Sequence, residues 1–364
     1  WFPSKVGSSD QLKNGGYEAA EDIYNRYTSE YEKENHGILG KDAHPWEYYD
    51  GNHDGVIDLL WIVYSKDRVE GGTNQWWAYT SHDGSSYNPN LYRPVVKTFC
   101  WASFSFMWGG YDPHTYVHET GHAYGLDDYY DYNAHWSLMG KIDMMDSNIG
   151  EHNAFSKFAL GWTSPLVVDD SAIIDLKPYA ESGESILLPS PNYNGTAFDE
   201  YLILQYDTPT GLNERDYFSN SSAVTGYTKP GLRILHVDAR TYASSKKEPL
   251  HDSHEIYNTA VDWINDNSHF GRGSNNNPMN AKNEYWEGNY NASHQDRSYS
   301  LVSVIPASYQ MDSNSTNSVV ALNNSALFQK GTTFSLEESW YEFMPSYSNL
   351  WNKARSYDEN GSVQ

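Results

Sequence analysis

Residues 118–128 of this 364-residue chain read HETGHAYGLDD. No other stretch constrains the fold as much, because the two histidines serve together only if the backbone is helical here and breaks soon after. In PHTYVHETGHAYG (113–125) a helix places His118 and His122 one turn apart on one face, so both imidazoles reach a single ion. Glu119 sits about 100° round the helix from His118, near that ion without ligating it. Val117, Gly121 and Tyr124 fall at i, i+4 and i+7 and form the expected core-facing stripe. Gly125 lets the chain leave the helix in a left-handed conformation, a turn that can swing Asp128 back as a third ligand. Two nitrogens and one carboxylate oxygen leave a fourth position open, as a catalytic zinc requires. A closed structural zinc site takes four protein ligands, mostly cysteine, and this chain has one cysteine.

Composition alone yields HExxH about 0.03 times in such a chain, and requiring Gly125 and Asp128 as well lowers that to roughly 10⁻⁴. A polar helix with two unrelated histidines is therefore the poorer account. The chemistry implied is hydrolysis. Zinc brings the pKa of a bound water from 15.7 toward ~7. Glu119 then serves as general base and acid, and the ion steadies the oxyanion.

The rest of the chain bears on what surrounds that site. A net charge of −24 repels phosphate backbones, so nucleic-acid binding is not expected. It suits hard cations held by carboxylates. No apolar run approaches the roughly 20 residues of a membrane span. WFPSKVGSSD lacks a signal-peptide pattern, so the chain is read as cytosolic or as a processed form. Cys100, the only cysteine, reads as a small buried hydrophobe. Abundant Tyr and Trp together with Asn, Ser and Gly resemble the texture of secreted proteins from disulfide-poor bacteria. A monomer is expected.

The texture predicts an α+β chain in two parts. The first, residues 1–163, holds a helix in YEAAEDIYNRYTSEYEKE (17–34), with Ala20, Ile23 and Tyr27 at helical spacing. Two strands follow: a buried one in DLLWIVYS (58–65) and another in VVKTFCWASFSFMW (95–108). From 164 to 364, short runs alternate with Gly, Pro, Asn and Ser clusters: AIIDL, SILLP, EYLILQY, LRILHVDA and SLVSVIP. They predict a β-rich, sandwich-like region. His236 in that region reads as a structural histidine, and 271–293 as a long polar loop. The Asn-x-Ser/Thr triplets at Asn194, Asn220, Asn291, Asn314, Asn323 and Asn360 matter only in a eukaryotic secretory pathway.

DGNHDGVID (50–58) carries a second pattern. Asp50, Asn52 and Asp54 alternate, Gly55 makes the sixth-place turn, and Val56 offers a carbonyl and Asp58 a carboxylate. These are the first nine places of an EF-hand-like calcium loop. Trp61 stands where the twelfth-place glutamate belongs, so water or another segment must complete the shell. Asp127, Asp131, Asp143 and Asp146 form an acidic cluster that either repels itself at a surface or holds a second calcium ion. The sequence places no Lys or Arg beside it.

HETGHAYGLDDYYDY resembles the active-site segment of the immune inhibitor A family of secreted bacterial metallopeptidases (the M6 group), with its metzincin-like HExxHxxGxxD pattern. IDMMDSNIGEHNAFSKFALGW (142–162), EYLILQYDTPTGLNERD and GLRILHVDAR are softer likenesses to the same family, so the resemblance spans most of 50–240. It implies a metzincin-like catalytic domain, with a mixed twisted sheet plus the active-site helix. The activity implied is that of an exported, calcium-stabilised zinc endopeptidase acting on proteins or peptides. Carried over residue by residue, the motif makes His118, His122 and Asp128 the zinc ligands. Glu151 is the fallback third ligand, should a later helix supply it. The methionine beneath the metal is Met145 in DMMD or, alternatively, Met139 in SLMG. The rival reading is an inert adhesin or a carbohydrate- or protein-binding module on a peptidase-like scaffold, which would have no chemical need of Glu119.

Overall fold

The computed structural model describes residues 15–35, 46–65, 67, 77–83, 86–91, 93–107, 112–130, 139–190, 193–218, 226–239, 301–307 and 324–334. They form a mixed α+β fold with several sheets, in two compact units, 1–124 and 125–364. Asp131, the polar loop at 271–293 and the asparagines Asn220, Asn291, Asn314, Asn323 and Asn360 of the glycosylation triplets lie outside the described residues.

In the first unit, helix α1 (Gly15–Asn35) precedes the short strand β1 (Val56–Ile57), then β2 (Leu60–Tyr64) and β3 (Tyr79–His82). Next come β4 (Val95–Val96), β5 (Thr98–Ser103) and helix α2 (His114–Ala123). β5 is the centre of a three-stranded sheet, parallel to β2 and antiparallel to β3, while β1 and β4 pair in parallel apart from it. Strand alternation sends Phe99 and Trp101 to one face, where they pack with Ile62 and with Ala20 of α1. Cys100 and Ala102 point to the other face, where Ala102 joins a cluster with Ala78, Phe106, Trp61 and Tyr116 of α2. Covered on both faces, β5 is almost wholly buried. Trp46 is clamped by α1, stacking on Tyr24 at 4.7 Å and donating to the Thr28 hydroxyl at 2.6 Å.

Two strand expectations change here. The run 58–65 is an edge strand rather than a buried one, and Val63 is 49% exposed. The strand expected over 95–108 stops at Ser103, whose hydroxyl accepts from the Ser105 amide at 3.1 Å and turns the chain into a 3₁₀ turn, Phe104–Met107.

The second unit carries short helices α3 (Met144–Ser147), α4 (Ala154–Ala159), α5 (Tyr179–Ser182) and α6 (Asn213–Phe218). Its strands are β6 (Leu166–Val167), β7 (Ser185–Pro189), β8 (Glu200–Asp207), β9 (Gly231–Asp238) and β10 (Val302–Ile305). They form one sheet in the order β10-β9-β8-β7-β6, antiparallel except for the β6–β7 pair. One face buries Leu202, Ile234 and Ile305 under Phe328. The opposite row of β8 and β9 is apolar at Ile203 and Leu235 and turns polar at Gln205, Asp207 and Arg233, all buried. SILLP, EYLILQY, LRILHVDA and SLVSVIP hold β7, β8, β9 and β10, while β6 lies in none of the expected runs. AIIDL does not: β7 already has β6 and β8 beside it, the run finds no ladder, and Ile173 is fully exposed. Among the described residues no helix is long and apolar enough to cross a membrane.

Candidate metal centre

α2 is amphipathic in an inverted sense. Its buried residues are His114, His118, Glu119 and Gly121, whereas Tyr124, expected in the core stripe, is half exposed. The side pressed on the sheet is polar because β3 and β5 offer polar partners rather than a purely apolar floor. Asp112 accepts from the His114 amide and pairs with the His114 ring, both at 3.1 Å, which fixes the start of the helix. Gly125, at φ +97°, ends it with the left-handed turn its sequence position requires.

The Nε2 atoms of His118 and His122 face each other at 3.1 Å. Two neutral acceptors repel at that distance unless one carries a proton or a cation lies between them. One ligand atom from each of His118, His122 and Asp128 lies within 4.8 Å of the others, and this is the only such acidic, histidine or cysteine group among the described residues. A tetrahedral zinc with nitrogen ligands at ~2.0–2.1 Å needs neighbouring ligands about 3.3 Å apart. The donor types and the histidine spacing therefore fit zinc.

Glu119 is 6% exposed. A buried carboxylate is costly unless hydrogen-bonded. Here the hydroxyl of Thr80 on β3 lies 3.1 Å from Glu119 Oε2 and 2.7 Å from its backbone oxygen. Cys100 reaches the same backbone oxygen at 3.4 Å. Burial pushes the Cys100 thiol up to about 12, which leaves it an inert packing group. His82, two residues along β3, contacts Thr98 at 3.1 Å. Loss of solvent lowers its pKa, partly countered by a hydrogen bond to the His122 backbone. The sequence reading missed Thr80 and His82. Only the strand alternation that puts both on the face of Cys100 pointed to them.

Asp128 is 5% exposed. The next residue, Tyr129, is fully buried, donates its amide to Met145 O at 2.6 Å and bonds Ser156 through its hydroxyl at 2.7 Å. Met139 and Met145 are both fully buried, but it is the backbone of Met145 that holds the chain beside Asp128, through the Tyr129 amide. Glu151 stands outside the ligand group. It pairs with Lys157 and accepts from Asn213 at 3.1 Å, and burial raises its pKa while Lys157 draws it down.

Asp127, Asp143 and Asp146 are not gathered into a metal group either. Asp143 caps α3, accepting from Met145 N at 3.0 Å and from Asn153 at 2.8 Å, with Arg233 at 3.9 Å. The premise that no lysine or arginine stands near this cluster therefore fails: Lys141 is two residues before Asp143, and Arg233 comes from a strand 90 residues away in sequence. Burial pushes Asp143 up to about 6 and Asp146, bonded to the Lys141 amide at 2.8 Å, up to about 7.

In the 50–58 loop, Asp50 is buried and accepts from the amides of Asp54 at 3.0 Å and Gly55 at 2.9 Å. Asn52 accepts from Asp54 N at 3.1 Å and Asp54 from Val56 N at 2.8 Å, while Asp58 folds back to Gly51 N at 3.1 Å. Gly55 has φ +84°, and a Cβ there would meet Asn90 N and Pro89 Cα at 2.9 Å, so only glycine makes this turn. The loop is thus wound as expected, although Asp50, Asp54 and Asp58 do not converge as three carboxylates. His236 is buried against Glu200, 3.0 Å away, as a structural histidine.

No protein-family model matches the chain, and no curated protein shows significant similarity to it.

Proposed function

We propose that this chain is a metzincin-like zinc endopeptidase, exported from a bacterial cell and acting as a monomer on proteins or peptides. Its catalytic part would lie in 1–163, followed by a sandwich-like β-rich region, 164–364. The observation that carries the reading is the meeting of His118 Nε2 and His122 Nε2 at 3.1 Å, with an Asp128 oxygen within 4.8 Å, beside a buried Glu119 that sits outside the ligand group.

His118, His122 and Asp128 would hold the ion, which supplies Lewis acidity to a water and to the scissile carbonyl. Glu119 is the proton carrier. Its carboxylate, held at Oε2 by Thr80, would take the proton of the attacking water and return it to the leaving amine. Burial of the carboxylate keeps competing water away from that transfer. The direct test is casein hydrolysis that stops with a zinc chelator and returns with stoichiometric zinc. Hydrolysis indifferent to the chelator, or none from the zinc-loaded protein, would end the proposal.

Asp128→Ala should strip zinc during dialysis, since two imidazoles alone hold it weakly. Glu151→Ala should leave metal content unchanged, because that carboxylate belongs to Lys157 and Asn213. The reverse pattern would move the third ligand to Glu151.

Asp50, Asn52 and Asp54 fit calcium's preference for oxygen donors. Calcium bound there should raise the melting temperature with zinc already present, by the equivalent of ~2.7 kcal/mol at a hundredfold excess over Kd. Asp54→Ala should flatten that rise, and magnesium should substitute poorly. Identical melting curves in a calcium chelator and in excess calcium would make the loop a turn held only by its own amides.

A further inference from the structure

The geometry points to Thr80 as the residue that positions Glu119, an inference that rests on the peptidase reading above. Thr80 lies at the middle of β3, opposite Cys100 of β5, on the face that α2 covers. Its hydroxyl is 2.7 Å from the backbone oxygen of Glu119, 3.1 Å from Glu119 Oε2 and 3.3 Å from Cys100 Sγ. The hydroxyl's single proton, shared as a three-centre bond between the backbone oxygen and Oε2, ties the carboxylate to its own stretch of helix. A glutamate side chain has three rotatable bonds before its carboxylate, and ordering such a side chain costs up to ~2 kcal/mol. Thr80 meets that requirement in advance. The strand also cannot drift: β3 is laddered to β5 from Tyr79 to His82.

The same hydroxyl distinguishes the two oxygens of Glu119. Oε2 is the oxygen turned toward β3. Loss of this contact should leave the ion and the substrate in place and slow only proton transfer, because His118, His122 and Asp128 do not depend on the hydroxyl. Thr80 is therefore a positioning residue rather than a catalytic one.

Three variants test this on the full chain: Thr80→Val, nearly isosteric without the hydroxyl; Thr80→Ala, which also avoids placing a methyl against Glu119; and Thr80→Ser, which restores the hydroxyl. The expected result is a fall in kcat of about 10- to 100-fold in Val and Ala, with KM and zinc content unchanged and activity recovered in Ser. The visible spectrum of the cobalt(II)-loaded protein supplies a readout independent of turnover, because Glu119 would hydrogen-bond a water held by the ion. It should change in Val and Ala and return in Ser. Unchanged kcat in Val and Ala would overturn the proposal, as would identical cobalt spectra in all variants. A fall shared by kcat, KM and zinc content that Ser fails to rescue would also overturn it, making Thr80 only a tie between strand and helix. Lack of zinc-dependent hydrolysis in the unaltered protein would count against the peptidase reading itself, and the cobalt spectra would still decide the role of Thr80.

Discussion

Replacing Glu119 by glutamine should leave a folded, zinc-loaded protein whose kcat is lower by at least ~10³-fold. The change keeps the side chain's size and a carbonyl oxygen able to accept from Thr80, so the helix and its contact with β3 should survive. What disappears is a group that can accept a proton and give it back. A factor of 10³ corresponds to about 4 kcal/mol of barrier, within the span attributed to one well-placed acid–base group. Glu119 is not in the ligand group, so metal content should be that of the unaltered protein. Metal analysis and turnover on a labelled peptide, made on the same preparation, decide the matter. Turnover within tenfold of the unaltered protein, with zinc confirmed, would remove Glu119 from the proposed chemistry.

How much could be read in advance depended on how local the cause was. The histidine pair, the glycine turn and Asp128 lie within eleven consecutive residues, where helix periodicity and one left-handed position determine the geometry. The loop at 50–58 was legible for the same reason, since Asp50, Asn52 and Asp54 wind round Gly55 through contacts a few residues long. Thr80 was not, because 39 positions separate it from Glu119 and only the β3–β5 ladder brings the two together. The buried side of α2 was misjudged because hydrophobic spacing assumes an apolar floor. Here the floor contains Thr80 and Cys100, so His114 and Glu119 turn inward and Tyr124 turns out. Strand runs were legible wherever a ladder partner existed and misleading where it did not, as Ile173 illustrates. The arginine beside the acidic cluster was hidden for a topological reason: Arg233 reaches Asp143 and Asp207 only once β8 and β9 have paired.

That arginine is the second place where a large effect is expected. Arg233 is 3% exposed. Its Nε lies 2.8 Å from Asp207, its Nη1 donates to Ile142 O at 2.8 Å and stands 3.9 Å from Asp143, and the guanidinium lies 5.8 Å from the ring centre of Tyr227. Asp207 takes a further bond from Gln205 at 2.7 Å, and Gln205 in turn accepts from the Ala154 amide of α4 at 2.8 Å. One cation therefore serves two buried carboxylates that between them cap α3 and brace α4. Burial already raises the pKa of both acids, and Arg233 is the main influence pulling them back. Arg233→Met fills much of the volume and removes the charge. It should destabilise the protein by about 3–5 kcal/mol, the range for stranding a buried partner. Against a total of about 5–15 kcal/mol that is a large share. Arg233→Lys should rescue little, since a single ammonium cannot reproduce the fork that spans Asp207 and Ile142 O. The loss should depend on pH. With the cation gone, Asp143 and Asp207 rise further above their ordinary carboxyl values. A carboxyl raised in the folded state stabilises while protonated and loses that contribution as pH climbs through its folded pKa, already about 6 for Asp143. Arg233→Met should therefore be more stable at pH 5 than at pH 8. Adding Asp207→Asn, which keeps an acceptor for Gln205 and removes one stranded charge, should restore most of the loss at pH 8. Denaturant unfolding of the three proteins at both pH values is the measurement. If Arg233→Met matches the unaltered protein at pH 8, the buried network contributes nothing to stability, and the capping of α3 must rest on Asn153 and the Met145 amide alone.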